Sequence, residues 1–306
     1  MPRKVLRPLL PAAALAFTAA LGPAAAAVAV PGAEDGPRCG AAELARLDGL
    51  KSDLDARAEA GTAGRAQYWY VDPQACRLSV TVLPDNGDGR TEDFVGAALA
   101  APGLTQLTEV AEPVGRRIAL APAAAGHTLR GPGTLHGGSA IYSGTSGLVY
   151  RCTNGFNNYR PGTTTTAGHC GHAAKTWYDA GGNRLGTVTD WRYPGADWSV
   201  ITPVSGWSLP GDVLGAAAPI TGFGKAALGE PVCGRGSTSG TSCGQVTALN
   251  VTVNYPDGVV RGLVRSNQSG GEGDSGGPVY DGGTGLGLIS GGASSGSPTF
   301  FQPLNF

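Results

Sequence analysis

Gly273-Asp274-Ser275-Gly276-Gly277-Pro278 is the stretch whose reading decides the fold. A serine between glycines suits two nucleophile arrangements. One is a strained strand-to-helix elbow, Gly-x-Ser-x-Gly, whose histidine base follows the serine in the chain. The other is a loop whose own backbone N–H groups face a developing oxyanion, with the base ahead of the serine. No histidine follows Ser275, so the first arrangement lacks its base.

Working outward, His169 stands in Thr166-Ala167-Gly168-His169-Cys170. A serine hydroxyl is a poor nucleophile until a base takes its proton, and imidazole has the proton affinity for that task. His172 lies past Cys170 in a Gly/Ala segment and reads as a surface histidine, while His127 and His136 sit at or before the expected processing region. A carboxylate should hold the imidazole in the right tautomer. The candidates between base and nucleophile are Asp179, Asp190, Asp197, Asp212, Asp257, Asp274, Glu230 and Glu272, most of them beside Gly or Pro, where turn formation accounts for them. Asp197 differs because it opens the apolar run Asp197-Trp-Ser-Val-Ile201, and a carboxylate buried there needs a partner. Asp274 is too near Ser275 in sequence to reach the far side of the ring.

The wider chain supports a β-rich frame for these residues. Glycine supplies 51 of 306 residues and only 15% are charged, a texture of tight turns that disfavours helix. From Gly137 onward, short β-prone runs alternate with turn residues: Ser146–Cys152, Lys175–Tyr178, Leu185–Trp191, Trp198–Thr202, Gln245–Tyr255, Val259–Arg265, Pro278–Tyr280 and Leu286–Ser290. That spacing predicts a closed or sandwiched antiparallel fold. The front half reads differently. Leu44, Leu47, Leu50 and Leu54 predict an amphipathic helix over 42–60, and Ala66–Val71 and Cys76–Val82 predict two strands. The Ala/Pro-rich stretch from Ala97 to Pro132 reads as a linker exposed to processing.

Arg3, Lys4 and Arg7 followed by an Ala/Leu run and the small residues Ala25 and Ala27 form a secretory leader pattern. An extracellular location is therefore expected, where disulfides persist. The six cysteines include no Cys-x-x-Cys pair and there are only four histidines, so neither a metal nor a cofactor is expected. A net charge of −1 gives no electrostatic case for nucleic acid or an anionic membrane.

Thr-Ala-Gly-His-Cys around His169 and Gly-Asp-Ser-Gly-Gly-Pro around Ser275 resemble the chymotrypsin-like serine proteases. Gly137–Ile141, Asp197–Ile201, Thr247–Tyr255 and Thr299–Pro303 look like the bacterial streptogrisin branch, and Tyr68–Pro73 resembles its propeptide. The resemblance implies an all-β fold of two six-stranded barrels, with a signal peptide at 1–27, a small α+β propeptide at 28–134 and a peptidase domain at 135–306. The barrels would cover about 135–215 and 216–306.

By the same resemblance, His169, Asp197 and Ser275 would be the catalytic set, with the N–H groups of Gly273 and Ser275 as the oxyanion hole. Ser290, Gly291 and Gly292 would pair with the substrate backbone. Bridges Cys152–Cys170 and Cys233–Cys243 are implied, leaving Cys39 and Cys76 as a third pair. The front segment would be folding assistant and inhibitor, removed near Thr134–Gly137. Protein or peptide substrates, a monomeric state and an apolar or aromatic P1 residue are expected. Ile289 stands where glutamate-specific relatives carry histidine, which disfavours acidic specificity, and no acidic residue stands at the expected pocket floor, which argues against a preference for Arg or Lys. The alternative is a catalytically silent binding protein on the same fold.

Three departures from the family pattern stand out. Ser269 replaces a cysteine before Gly273. Gly234 stands where relatives carry an arginine that pairs with the aspartate before the nucleophile, with Arg235 next. The chain ends at Phe306, where relatives usually continue into a helix.

Overall fold

The computed structural model describes residues 39–84, 86–101, 103–123 and 131–304. The expected signal peptide, His127 and the chain end at Phe306 lie outside the described residues. The front segment folds as α1 (Ala41–Glu59), β1 (Ala66–Asp72), β2 (Arg77–Val82), α2 (Arg90–Ala98) and β3 (Thr105–Glu109), followed by β4 (Val114–Arg116) and β5 (Ala119–Pro122). Next come β6 (Ala140–Tyr142), β7 (Leu148–Thr153), β8 (Thr164–Thr166), α3 (Gly168–Ala173), β9 (Thr176–Tyr178), β10 (Arg184–Arg192) and β11 (Trp198–Pro203). The last group is β12 (Gly222–Phe223), β13 (Pro231–Gly236), β14 (Gly240–Tyr255), β15 (Gly258–Ser266), β16 (Pro278–Asp281), β17 (Thr284–Ala293) and β18 (Thr299–Pro303).

Two barrels carry the site. The first has the strand order β7-β6-β9-β10-β11-β8 around Ile141, Trp177, Leu185 and Ile201. The second runs β13-β16-β17-β18-β15-β14 and closes through β13 against β14, around Val232, Val246, Val264, Val279 and Phe301. Alternating apolar side chains put these residues inward, as the period of two requires.

Front strands extend both sheets. β1 pairs with β14, Tyr68 opposite Val253 and Trp69 opposite Thr252, so the front sheet β1-β2-β3 continues the second barrel. The stretch read as a linker holds β3, β4 and β5 instead. β3 joins β2 in parallel, β4 lies along β17, and β5 adds to β7. These strands take their order from main-chain bonds to existing edges, and the side chains of β3 are almost wholly exposed. An apolar repeat could not have announced them.

Helix α1 also departs from a simple apolar face. Lys51 is only 4% exposed. Its ammonium bonds Asp55 Oδ2 at 2.9 Å and Thr252 Oγ1 at 2.8 Å, while Trp69 Nε1 donates to Asp55 Oδ1 at 2.7 Å. A charged group is thus buried against a carboxylate and a hydroxyl, tying the helix to β14.

Candidate active site

Each member of the site is fixed by local backbone. His169 opens α3, and Asp197 immediately precedes β11, whose start pairs with the β8 segment leading into that helix. Ser275 sits on the loop ahead of β16. Its carbonyl accepts Thr153 N–H at 2.8 Å, and Gly276 N–H donates to Ile289 O at 2.7 Å. The nucleophile loop is thereby pinned to β7 of the first barrel and β17 of the second.

The three side chains are fully buried and lie in line. His169 Nε2 is 2.7 Å from Ser275 Oγ, and His169 Nδ1 is 2.9 Å from Asp197 Oδ2. The His169 backbone N–H donates to Asp197 Oδ1 at 2.8 Å. Complete burial alone would push the Asp197 carboxyl up. The attraction of His169 and hydrogen bonds from His169 and Ser290 outweigh it, so the group is held below its ordinary value of 3.8. An ionised carboxylate on Nδ1 leaves Nε2 free to take a proton from the serine.

Sequence reasoning missed the outer ring of this network. Ser290 Oγ donates to Asp197 Oδ2, so the Tyr255 hydroxyl, 3.0 Å away, donates to Ser290 in turn. Gln302 Oε1 accepts the Asp197 N–H at 2.8 Å. Tyr255 and Gln302 lie in segments that resemble the streptogrisin branch, but nothing in those segments marked either residue as a partner of Asp197 or Ser290.

Gly273 N–H and Ser275 N–H converge on one oxygen, the carbonyl of Arg117, at 2.5 and 3.2 Å. Gly273 has φ +95°, and a Cβ there would come within 2.5 Å of Thr238 Oγ1, so only glycine presents this donor without strain. Asp274 is held by the N–H groups of Gly271, Thr238 and Ser239 at 2.7, 2.9 and 3.1 Å. Arg235 makes no ion pair with it, and three backbone donors serve in place of the arginine usual in relatives.

The front segment lies along Ser290, Gly291 and Gly292. Arg117 N–H donates to Ser290 O at 3.2 Å, while Gly291 and Gly292 pair with Arg116 and Gly115. The Arg117 side chain is 4% exposed; main-chain oxygens and the Thr299 hydroxyl accept from its Nη2, its Nε is buried with no partner, and burial lowers its pKa. The remaining histidines lie elsewhere: His136 contacts Asp212 at 2.8 Å, and His172 is exposed beside Tyr193.

The structure joins Cys152 to Cys170, Cys233 to Cys243 and Cys39 to Cys76. Thr134–Gly137 is stitched to the 208–213 segment by Leu135 N–H to Ser208 O and Gly137 N–H to Asp212 O. No helix among the described residues is long and apolar enough to cross a membrane.

No family model matches the chain. It is 42% identical over 170 residues to Serine protease 2 of Streptomyces fradiae, covering 53% of this chain and 96% of that protein. It is 32% identical over 272 residues to Streptogrisin-C of Streptomyces griseus, covering 86% of this chain but only 54% of the relative. The chain therefore spans about half the length of that longer relative. A solved glutamic-acid-specific serine protease, described as using a histidine triad in substrate binding, superposes with a TM-score of 0.51 at 34% identity. It covers 56% of this chain and 94% of the other.

Proposed function

We infer that this chain, which belongs to the streptogrisin-like branch of the chymotrypsin-like bacterial serine proteases, is a secreted serine endopeptidase made with its own inhibitor attached. The observation that carries this reading is a peptide carbonyl lodged against Gly273 and Ser275 N–H beside an unbroken Ser275–His169–Asp197 line. In this reading Ser275 Oγ attacks the carbonyl carbon of the substrate. His169 takes the serine proton and delivers it to the leaving amine, and Asp197 steadies the imidazolium. Each oxyanion donor is worth about 3–4 kcal/mol of barrier. Water then releases the acyl group by the same route in reverse.

The front segment is proposed as propeptide. It extends the sheet at β14 and occupies the cleft through β4, which supports both roles expected of it: template for a slow-folding barrel and inhibitor of the finished site. Barrel residues 135–306 made without residues 28–134 should therefore give little activity. Full activity on refolding alone would remove the folding role. Protein and peptide substrates and a monomeric, extracellular enzyme complete the proposal.

Acidic P1 residues are disfavoured, since no described histidine reaches the pocket beside Ser275. An apolar or aromatic P1 residue, drawn from the family resemblance, is one reading of that pocket; the buried Arg117 side chain supports another, taken up below. The test of the enzyme reading is active-site labelling of the processed protein with an organophosphate. Label on Ser275, lost in Ser275→Ala together with peptidase activity, is expected. An intact, unlabelled protein would leave the silent binding protein as the better account, and a Ser275→Ala variant that still cuts peptides would remove Ser275 as the nucleophile.

A further inference from the structure

Val114-Gly115-Arg116-Arg117-Ile118 crosses the cleft in the manner of a substrate, and both arginines are held by specific groups. The Arg117 Nη2 donates to Gly296 O at 2.6 Å and to Thr299 Oγ1 at 3.1 Å, with Pro298 O at 3.5 Å. Thr299 is locked as an acceptor there because its own proton goes to Gln268 O at 2.9 Å. Two glycines leave room for the guanidinium: a Cβ on Gly292 would lie 2.2 Å from Nη2, and one on Gly270 would lie 3.1 Å from Cζ. Larger residues at either position would close the slot.

Arg116 is recognised separately. Its Nε lies 2.8 Å from Asp257 Oδ1, and its guanidinium sits 5.7 Å from the centre of the Tyr193 ring. Tyr193 donates its hydroxyl to the same Asp257 oxygen at 2.6 Å and packs edge-on to His169 at 5.7 Å between ring centres. Tyr193 thus joins the second subsite to the catalytic base. On the far side of the bond, Ile118 packs against the apolar core of the first barrel and β5 pairs with β7. Residues before the bond lie on one barrel, and residues after it on the other.

We propose that the cleft selects paired arginines, with Asp257 and Tyr193 reading the second and the Gly296–Thr299 acceptors the first, and that Arg117–Ile118 is the first bond the chain cuts in itself. This rests on the endopeptidase reading of Ser275. Ser275 Oγ bonds to the Arg117 carbonyl carbon, the C–N bond to Ile118 breaks, and His169 passes the serine proton to the Ile118 nitrogen. One water then converts the ester to the Arg117 carboxylate and restores Ser275. The segment near Thr134–Gly137, expected from the sequence to be cut, is built into the barrel and would follow later.

The test is a time course of the full chain, with N-terminal analysis of each fragment, alongside kcat/KM for Val-Gly-Arg-Arg-Ile peptides and versions with Leu or Phe at P1 or Ala at P2. A first fragment beginning at Ile118 is expected, with Arg favoured at P1 by about tenfold, the two buried charge-assisted bonds of Nη2 being offset in part by the unpartnered buried Nε. Arg117→Leu should slow the first cut by a similar factor. Asp257→Asn should shrink the Arg-over-Ala preference at P2 about three- to fivefold, as befits a half-exposed pair. A first fragment beginning within 134–137, or faster turnover of Leu or Phe peptides, overturns this proposal and leaves the endopeptidase reading standing. An unchanged P2 preference in Asp257→Asn removes Asp257 from it. Failure to cut any of these peptides, with no organophosphate label on Ser275, overturns both.

Discussion

The front segment touches the second barrel twice by the same device, an added antiparallel strand, yet the two contacts are built from opposite materials. At β14 the join is sealed by side chains: Lys51, Asp55 and Trp69 form a buried polar knot on Thr252, and Tyr68 packs on Phe300 with ring centres 5.0 Å apart. At β17 the join is mostly main chain, glycine against glycine, with Gly115 opposite Gly292. The first contact depends on this one sequence. The second takes its register from backbone pairing alone, so what it selects rests on the two arginine side chains held beside it. An inhibitor needs the first kind of contact to stay bound and the second to occupy a site meant for other chains.

Four substitutions and one titration probe that contrast. Asp197→Asn disturbs neither strand but should lower kcat about 10⁴-fold by favouring the wrong histidine tautomer, read on a peptide substrate after processing. Lys51→Met, made in the Ser275→Ala chain, leaves the Asp55 carboxylate buried without its cation. It should cost about 3–5 kcal/mol, seen as a lower denaturant midpoint, and a change under 1 kcal/mol would mean the knot is dispensable. Gly115→Pro removes an N–H from the cleft strand and should slow self-processing about tenfold while leaving the midpoint of the Ser275→Ala chain within about 1 kcal/mol. Glu59→Gln breaks a half-exposed pair with Arg261 at 2.8 Å and should change stability by less than about 1 kcal/mol.

The titration concerns Asp197. Its carboxyl is held below 3.8 in the folded protein, so the unfolded chain takes up the proton more readily. The stability this group supplies is complete above the unfolded value, about pH 4, and is lost as pH falls through the lowered folded value. Unfolding midpoints of Ser275→Ala, with and without Asp197→Asn, should therefore differ less at about pH 2 than at pH 6. A constant gap across that range would contradict the assigned shift.

What the sequence disclosed follows from how locally each feature is encoded. His169 and Ser275 sit in runs whose glycines and neighbours shape the backbone on the spot, so they were readable from spacing, and Asp197 from its place at the head of an apolar strand. The barrel strands showed as short β-prone runs between turn residues, and α1 by its leucines at Leu47 and Leu54. Lys51 and Asp55 did not show, because a charge on a helix reads as solvated until its partners on β1 and β14 are known. β4 and β5 were hidden for a related reason: each forms only against an edge elsewhere in the chain, β17 for β4 and β7 for β5, and Ala and Gly carry no strand signal. The acceptors around Arg117 are mostly backbone carbonyls, which every residue has. The tandem Arg116-Arg117 before Ile118, inside a stretch otherwise rich in Ala and Pro, was the one mark available.

The placement of β4 on one barrel and β5 on the other has a kinetic consequence. If the front segment is the inhibitor proposed above, then while Arg117 and Ile118 remain joined it is held near its site at an effective concentration in the millimolar range, as for short tethers. Hydrolysis of that single bond makes rebinding a bimolecular event governed by the amount of protein in the medium. In a crowded compartment the severed segment would find the cleft again almost at once; diluted outside, it would not. Dilution then acts as the second signal after the cut, and the knot around Lys51 sets the concentration at which it takes effect.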